Sequence, residues 1–164
     1  MQDYCMNGFD SFDIALLTAL QEDGRMASVA LAERVHLSPS QVTRRMRRLE
    51  ESGAIRRYAA LLDPAAVGLH VLAFTSVSLE IQTEETTAEF RAPIAALPQV
   101  LECFATTGDA DFLLKIVTVD LAAFSNLLMA RIMPIAHVRN VRSAIVLGEF
   151  KNATALDISH LRDA

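Results

Sequence analysis

The stretch from Ser28 to Ile55, SVALAERVHLSPSQVTRRMRRLEESGAI, leaves this chain few folds to choose from. It divides into two short helical patterns joined by a tight polar turn. The first carries Leu31, Ala32 and Val35 on one stripe, and the second carries Val42, Met46 and Leu49 at i, i+4 and i+7. Between them, Ser38-Pro39-Ser40-Gln41 reads as a helix start. Ser38 is a ready N-cap, Pro39 suits the first helical position because its missing N–H would be unpaired there anyway, and Gln41 stands where a capping box takes Glu or Gln. Gly53 supplies the left-handed residue that ends the second helix. Two short helices, the second sharply started, predict a helix-turn-helix.

The outer face of the second helix carries the functional signal. With Val42 at zero and about 100° per residue, Met46 and Leu49 fall on the buried side. Ser40, Arg44, Arg47 and Arg48 fall opposite, with Gln41 and Thr43 at the edges and Ser38 at the turn. A helix enters a DNA major groove. There arginine reads guanine bidentately, Gln reads adenine, and Ser or Thr contacts bases or phosphates. An ordinary solvated helix is also often Arg-rich, so RRMRR alone does not decide. The preceding helix, the capped turn and Arg56-Arg57 just downstream make double-stranded DNA the expected partner. The net charge of −5 speaks against a chain coated in nucleic acid, yet Arg44 to Arg57 hold six arginines against Glu50 and Glu51. A local basic patch on an acidic protein fits a site-specific binder.

Length and composition bound the rest. A chain of 164 residues makes one ordinary domain or two small ones, and 52% hydrophobic with 21% charged residues is globular. The two cysteines, Cys5 and Cys103, form no CxxC and have no His at metal spacing, so neither a disulfide framework nor a zinc site is expected. His36, His70, His137 and His160 are scattered, and no nucleophile sits in an activating context. No catalytic residue, metal or cofactor is assigned. No apolar run reaches bilayer length, and MQDYCMNGFD is too acidic and polar for a signal peptide, so the expected location is cytoplasmic and nucleoid-associated.

In chain order, Asp10 or Ser11 caps a first helix bearing Phe12, Leu16, Leu17 and Leu20, closed by Asp23-Gly24. Ile55 to Leu62 reads as a short strand, and Asp63 to Gly68 as the domain junction. Beyond it come a strand over Leu69 to Ile81 and a helix from about Glu84 to Leu97, with Phe90, Ile94 and Leu97 inward and Pro93 predicting a kink or a break near Ala92. Strands over Gln99 to Thr107 and Asp111 to Val119 are joined by Gly108-Asp109-Ala110, a hairpin signal. Asp120 caps a helix with Leu121, Phe124, Leu128 and Ile132 on one face, and Val138 to Phe150 is a fourth strand. Thr154 to Ile158 alternates weakly, like a short edge strand. The fold class is therefore α+β: a helix-turn-helix domain at 1–54, a strand and hinge linker at 55–68, and a ferredoxin-like βαββαβ domain at 69–164.

Both faces of that sheet read as apolar. Phe112, Leu114 and Ile116 alternate with Leu113, Val117 and Val119, and Phe74 faces opposite Ala73 and Val77. Helices cover one face, and the chain has no third layer for the other. A second copy packed sheet against sheet about a two-fold axis is the expected cover, and paired recognition helices would read paired half-sites.

The pieces NGFDSFDIALLTALQEDGR, LAERVHLSPSQVTRRMRRLEESGAIRRYAALLDP, VLECFATTGDADFLLKI and KNATAL resemble the leucine-responsive and asparagine-regulator (Lrp/AsnC, feast/famine) family of bacterial transcription factors. The likeness covers nearly the whole chain in the family's order. It implies a homodimer, extending in many members to an octamer, that responds to a free amino acid. By the same resemblance Thr107, Gly108, Asp109, Asp111, Phe112 and Ser143 are the effector-binding candidates. Gly108 lets a ligand approach the backbone, and Asp109 or Asp111 offers a carboxylate to an α-ammonium. Read without the resemblance, GDAD is a hairpin turn. Two positions depart from the family pattern. His36 stands where a Gly is usual, so that a left-handed turn would be held by a side chain able to tolerate it. Val141-Arg142-Ser143 replaces Thr-x-Thr, which removes one hydroxyl. The rival reading is a ligand-binding or interaction module whose N-terminal helices touch protein instead of DNA.

Overall fold

A computed structural model describes residues 8–162. The chain divides into two compact units, one running to Leu61 and including the segment from Lys151 onward, the other spanning Leu62–Phe150. Cys5 and the rest of the first seven residues lie outside the described part.

The first unit holds α1 (Ser11–Glu22), α2 (Ser28–Val35) and α3 (Pro39–Glu51). Asp10 is the cap of α1. Its carboxylate accepts from the N–H groups of Phe12 and Asp13, and Asp13 accepts in return from the Asp10 N–H at 3.1 Å. Leu16 and Ala19 of α1 meet Leu31, Ala32 and Val35 of α2 and Val42 and Leu49 of α3 in one core. The stripe on α1 differs from the periodicity at one point. Phe12 is 38% exposed, while Asp13 beside it is fully buried.

At the turn, α2 ends in a left-handed residue, His36, with φ 55° and ψ 44°. Leu37 N–H reaches back to the Ala32 carbonyl at 3.0 Å and His36 N–H to Glu33 at 3.4 Å, the paired bonds of a Schellman ending. Ser38 then caps α3 in a reciprocal box with Gln41, and Pro39 follows at the first helical position. Gly53, at φ 77°, stands just past the other end of α3.

Ile55 to Leu62 is not the expected short strand: the residues are irregular and mostly exposed. A strand needs a neighbouring backbone to complete its ladder, and this segment pairs with none among the described residues. Asp63 caps a 3-10 turn at Ala65–Val67, which closes on Gly68 at φ 80°.

The second unit is a four-stranded antiparallel sheet in the order β2-β3-β1-β4, with β1 at Val71–Leu79, β2 at Val100–Ala105, β3 at Phe112–Thr118 and β4 at Val138–Ile145. Helices α4 (Glu84–Ala95) and α5 (Leu121–Leu127) connect them and pack on one face. Val71, Ala73, Val77, Phe112, Leu114 and Ile116 meet Phe90, Ile94, Leu97, Phe124, Leu127 and Ile132 there. Helix α4 continues to Ala95 without a break at Ala92. Pro93 lies in the last turn, where it removes a single backbone bond. Leu121 is 57% exposed, and a π turn at Leu128–Ile132 extends α5 and brings Ile132 into the core.

On the opposite face, the pairing register aligns Phe104, Leu113, Ser76 and Arg142 in one row and Glu102, Lys115, Phe74 and Ala144 in the next. Phe74 and Phe104 stay 38% and 47% exposed. The expected fourth strand stops at Ile145, and Leu147 and Phe150 beyond it are fully exposed. Thr154 to Ile158 forms no strand. Instead the tail returns to the first unit. There the Gln21 amide both donates to the Leu156 carbonyl at 3.2 Å and accepts from its N–H at 2.6 Å, in place of a strand neighbour. No helix among the described residues is long and apolar enough to cross a membrane.

Candidate nucleic-acid interface and effector loop

Helix α3 sets its polar face by burying Val42 and Leu49. Arg44 on that face is exposed and has no ion partner among the described residues. Arg47 shares an exposed i, i+4 pair with Glu51 at 2.7 Å, which helps the helix little and can exchange for a phosphate. Thr43 Oγ1 donates to the Pro39 carbonyl at 2.9 Å, and the Ser40 hydroxyl lies 3.1 Å from that of Ser38. Gln41 Oε1 accepts from the Ser38 N–H at 3.0 Å and from its hydroxyl at 2.9 Å. The cap therefore occupies the carbonyl end of Gln41 and leaves the amide N–H groups. Arg56 and Arg57 are exposed on the irregular segment after α3.

Arg48 is held differently. Its guanidinium is paired with Asp13, whose carboxylate is fully buried, and Arg45 Nη1 binds the same carboxylate at 2.7 Å and Asp10 Oδ2 at 2.7 Å. The Arg45 guanidinium also lies 5.3 Å from the centre of the Phe12 ring. Burial pushes the Asp10 carboxyl up, but the Asp13 N–H, the Arg45 guanidinium and the Phe12 N–H outweigh it and leave it below the ordinary carboxylate value. Hydrogen bonds to Asp13 and Asp10 raise Arg45 in turn. Neither Asp13 nor Arg45 stands out in the sequence as functional. The signal is faint but present: counted from Val42, Arg45 falls on the flank of the buried stripe of α3, where a guanidinium needs an acid opposite.

In the second unit, Gly108 takes φ 114°, a conformation that needs glycine, and no atom lies within 4 Å of where a Cβ would stand. Thr106 braces the loop, donating from N to the Asp111 carbonyl at 3.0 Å and from Oγ1 to the Ala110 carbonyl at 2.8 Å. Thr107 and Asp109 are exposed. Asp111 is committed within the chain: Oδ2 accepts from the Leu79 N–H at 2.7 Å, and its own N–H donates to Val77. Phe112 is only 2% exposed and stacks on Phe90 with ring centres 4.6 Å apart. Ser143 shares a hydroxyl contact of 2.9 Å with Thr75 on the helix-covered face. Thr107, Gly108, Asp109 and the exposed Ser143 are thus the open part of this candidate site. Among the described residues no group of His, Cys, Asp and Glu gathers to hold a metal, and burial pushes the Cys103 thiol up despite the neighbouring charge of Arg91.

A capped helix-turn-helix with a basic outer helix, joined to a ferredoxin-like sheet, defines a ligand-binding transcription regulator. The sequence matches the AsnC-type helix-turn-helix domain over residues 9–50 and the Lrp/AsnC ligand binding domain over residues 72–156. The chain belongs to the Lrp/AsnC family of transcriptional regulators, whose members are not enzymes. It is 38% identical over 149 residues to a leucine-responsive regulatory protein of Rhizobium meliloti, covering 91% of this chain and 96% of that one. It is 42% identical over 142 residues to the Bkd operon transcriptional regulator of Pseudomonas aeruginosa, covering 87% and 93%. Its fold is similar, at TM-score 0.90 and 41% identity, to a Neisseria meningitidis transcriptional regulator solved with L-Met, covering 94% and 99% of the two chains. A feast or famine regulatory protein of Mycobacterium tuberculosis, complexed with L-methionine, matches at TM-score 0.81 and 31% identity, covering 91% and 99%.

Proposed function

We propose that this regulator binds operator DNA through Arg44, with Ser38, Ser40, Gln41, Thr43 and Arg47 beside it and Arg56 and Arg57 on the phosphates. A free neutral amino acid bound at the Gly108 loop would control it. The observation that carries the DNA reading is Arg44, an exposed guanidinium without an ion partner among the described residues, on the outer face of a sharply capped helix. Arg48, tied to Asp13, is the weaker candidate for a base or phosphate.

For the effector, the Gly108 N–H is a donor for an α-carboxylate, and the exposed Asp109 carboxylate is an acceptor for an α-ammonium. The domain division is read as 1–54 for DNA, 55–68 as the connection and 69–164 for sensing and assembly, although the segment from Lys151 onward groups with the first unit. Phe112 is too deeply packed to line an open pocket in one copy. A neighbouring copy would therefore supply the apolar wall, consistent with a homodimer formed over the open sheet face and with higher assemblies up to an octamer. The setting is the cytoplasm, at the nucleoid. Two relatives solved with methionine support a neutral effector.

Titration calorimetry against leucine, methionine, lysine, arginine and glutamate tests this. Leucine or methionine should bind best, and Gly108→Val should lose the response while keeping DNA affinity. Tighter binding of lysine or glutamate, or wild-type binding by Gly108→Val, would place the site elsewhere. On DNA, Arg44→Ala should cost roughly 1–3 kcal/mol on a selected site and relax one base position, while Arg56→Ala or Arg57→Ala weakens all sequences alike.

A further inference from the structure

Helix α3 carries five residues of RRxRR character, yet the structure divides their charge unequally. Arg44 is unpaired and Arg47 has an exposed, exchangeable partner, whereas Arg45 and Arg48 converge on one carboxylate on α1. Asp13 is fully buried, and both its carboxylate oxygens are engaged: Oδ2 by the Asp10 N–H at 3.1 Å and by Arg48, Oδ1 by Arg45 at 2.7 Å. Arg45 is itself largely covered, bound to Asp10 and seated over Phe12. This is a clamp between the first and third helices, with a buried carboxylate and a largely covered Arg45 at its centre and Arg48, 55% exposed, closing it from the solvent side. Its two anchor points on α3 are three residues apart, nearly one turn, so they restrain rotation of the helix about its axis as well as its position.

We propose that Asp13 is a positioning residue for DNA recognition. It fixes the rotation of α3 through Arg45 and Arg48, and it withholds the charge of Arg48 from the phosphates, so that Arg44 alone meets the base edges in a single register. The proposal rests on α3 being the element that reads DNA. A basic helix with every arginine free would bind any duplex through phosphates, whereas one carboxylate at its back trades that general attraction for orientation.

The test uses full-length protein and two duplexes: one selected by the wild type from a random-sequence library, and a scrambled duplex of equal length and composition. In Asp13→Asn the amide still accepts from the Asp10 N–H but no longer neutralises arginine. Affinity for the scrambled duplex should rise several-fold at low salt, the selected-to-scrambled ratio should fall about tenfold, and the salt slope should steepen by about one per protomer, about two for a dimer. A purely structural role would lower the folded fraction equally for both duplexes and leave ratio and slope as in the wild type; that result overturns the proposal. Should Asp13→Asn fail to fold, Asp13→Asn/Arg48→Gln removes the uncompensated charge. It should return the slope to the wild-type value with the ratio still low, and a wild-type ratio in this variant overturns the proposal equally. If the wild type selects no duplex at all, it is the DNA reading of α3 that fails, not the role of Asp13.

Discussion

His36 holds a left-handed conformation that a β-carbon disfavours by roughly 1–2 kcal/mol. His36→Gly removes that strain but frees the unfolded chain by about 0.4–1 kcal/mol, so the net gain should be near 0.5 kcal/mol. A raised urea midpoint for the first unit checks this, and a lowered one would mean that the imidazole contributes more than the strain costs. Tyr58 gives a pH signature. Burial, then the Glu50 carboxylate that accepts its hydroxyl at 3.0 Å, push the phenol from 10.0 up to about 12. A group with a raised folded pKa stabilises fully below its unfolded value and loses that contribution as pH rises through the folded one. The stability difference between wild type and Tyr58→Phe should therefore hold up to about pH 10 and fade toward pH 12. Side-by-side urea melts at pH 9 and pH 11.5 will show whether the difference shrinks.

At the scale of elements, β3 separates two neighbouring leucines. Leu114 is fully buried against α4 and α5, while Leu113 is in register with Phe104 and Ser76 on the open face. Leu114→Glu should unfold the second unit, because a buried unpaired carboxylate costs several kcal/mol. Leu113→Glu should fold, with near-normal circular dichroism, and lose self-association in sedimentation. Unfolding by Leu113→Glu with Leu114→Glu still folded would mean that the faces are inverted. Periodicity on β3 was readable from sequence, but its phase was not, since both sets of side chains are apolar. The segment Ile55 to Leu62 shows the converse limit: it reads as a short strand yet finds no backbone to pair with among the described residues.

For the whole molecule, a net charge of −5 repels DNA at long range, so affinity must come from the few exposed arginines near α3. With about six phosphate contacts over a dimer, affinity should drop about 10³-fold between roughly 50 and 200 mM salt. Fluorescence anisotropy across that range decides. A flat response would favour protein contacts by the N-terminal helices over DNA.

The helix-turn-helix was legible in SPSQ and Gly53 because caps and turns are local: each hydrogen bond joins residues a few positions apart. The βαββαβ order was legible for the same reason, through hairpin and cap signals at Gly108 and Asp120. Contacts distant in sequence were not. Nothing near Asp13 announces that Arg45 and Arg48 will close on it from more than thirty residues away. Phe112 and Ser143, effector candidates by the resemblance, lie on the helix-covered side of the sheet, Phe112 buried and Ser143 exposed, because strand register, set by pairing with β1, decides which way each side chain points. The tail's alternation likewise resolves into two hydrogen bonds with a single glutamine, Gln21. Sequence determined the capped helices and the order of the main strands, but not that Ile55 to Leu62 and Thr154 to Ile158 stay irregular or that β4 stops at Ile145. Only the tertiary structure decided which charges are spent internally, because that depends on which faces meet.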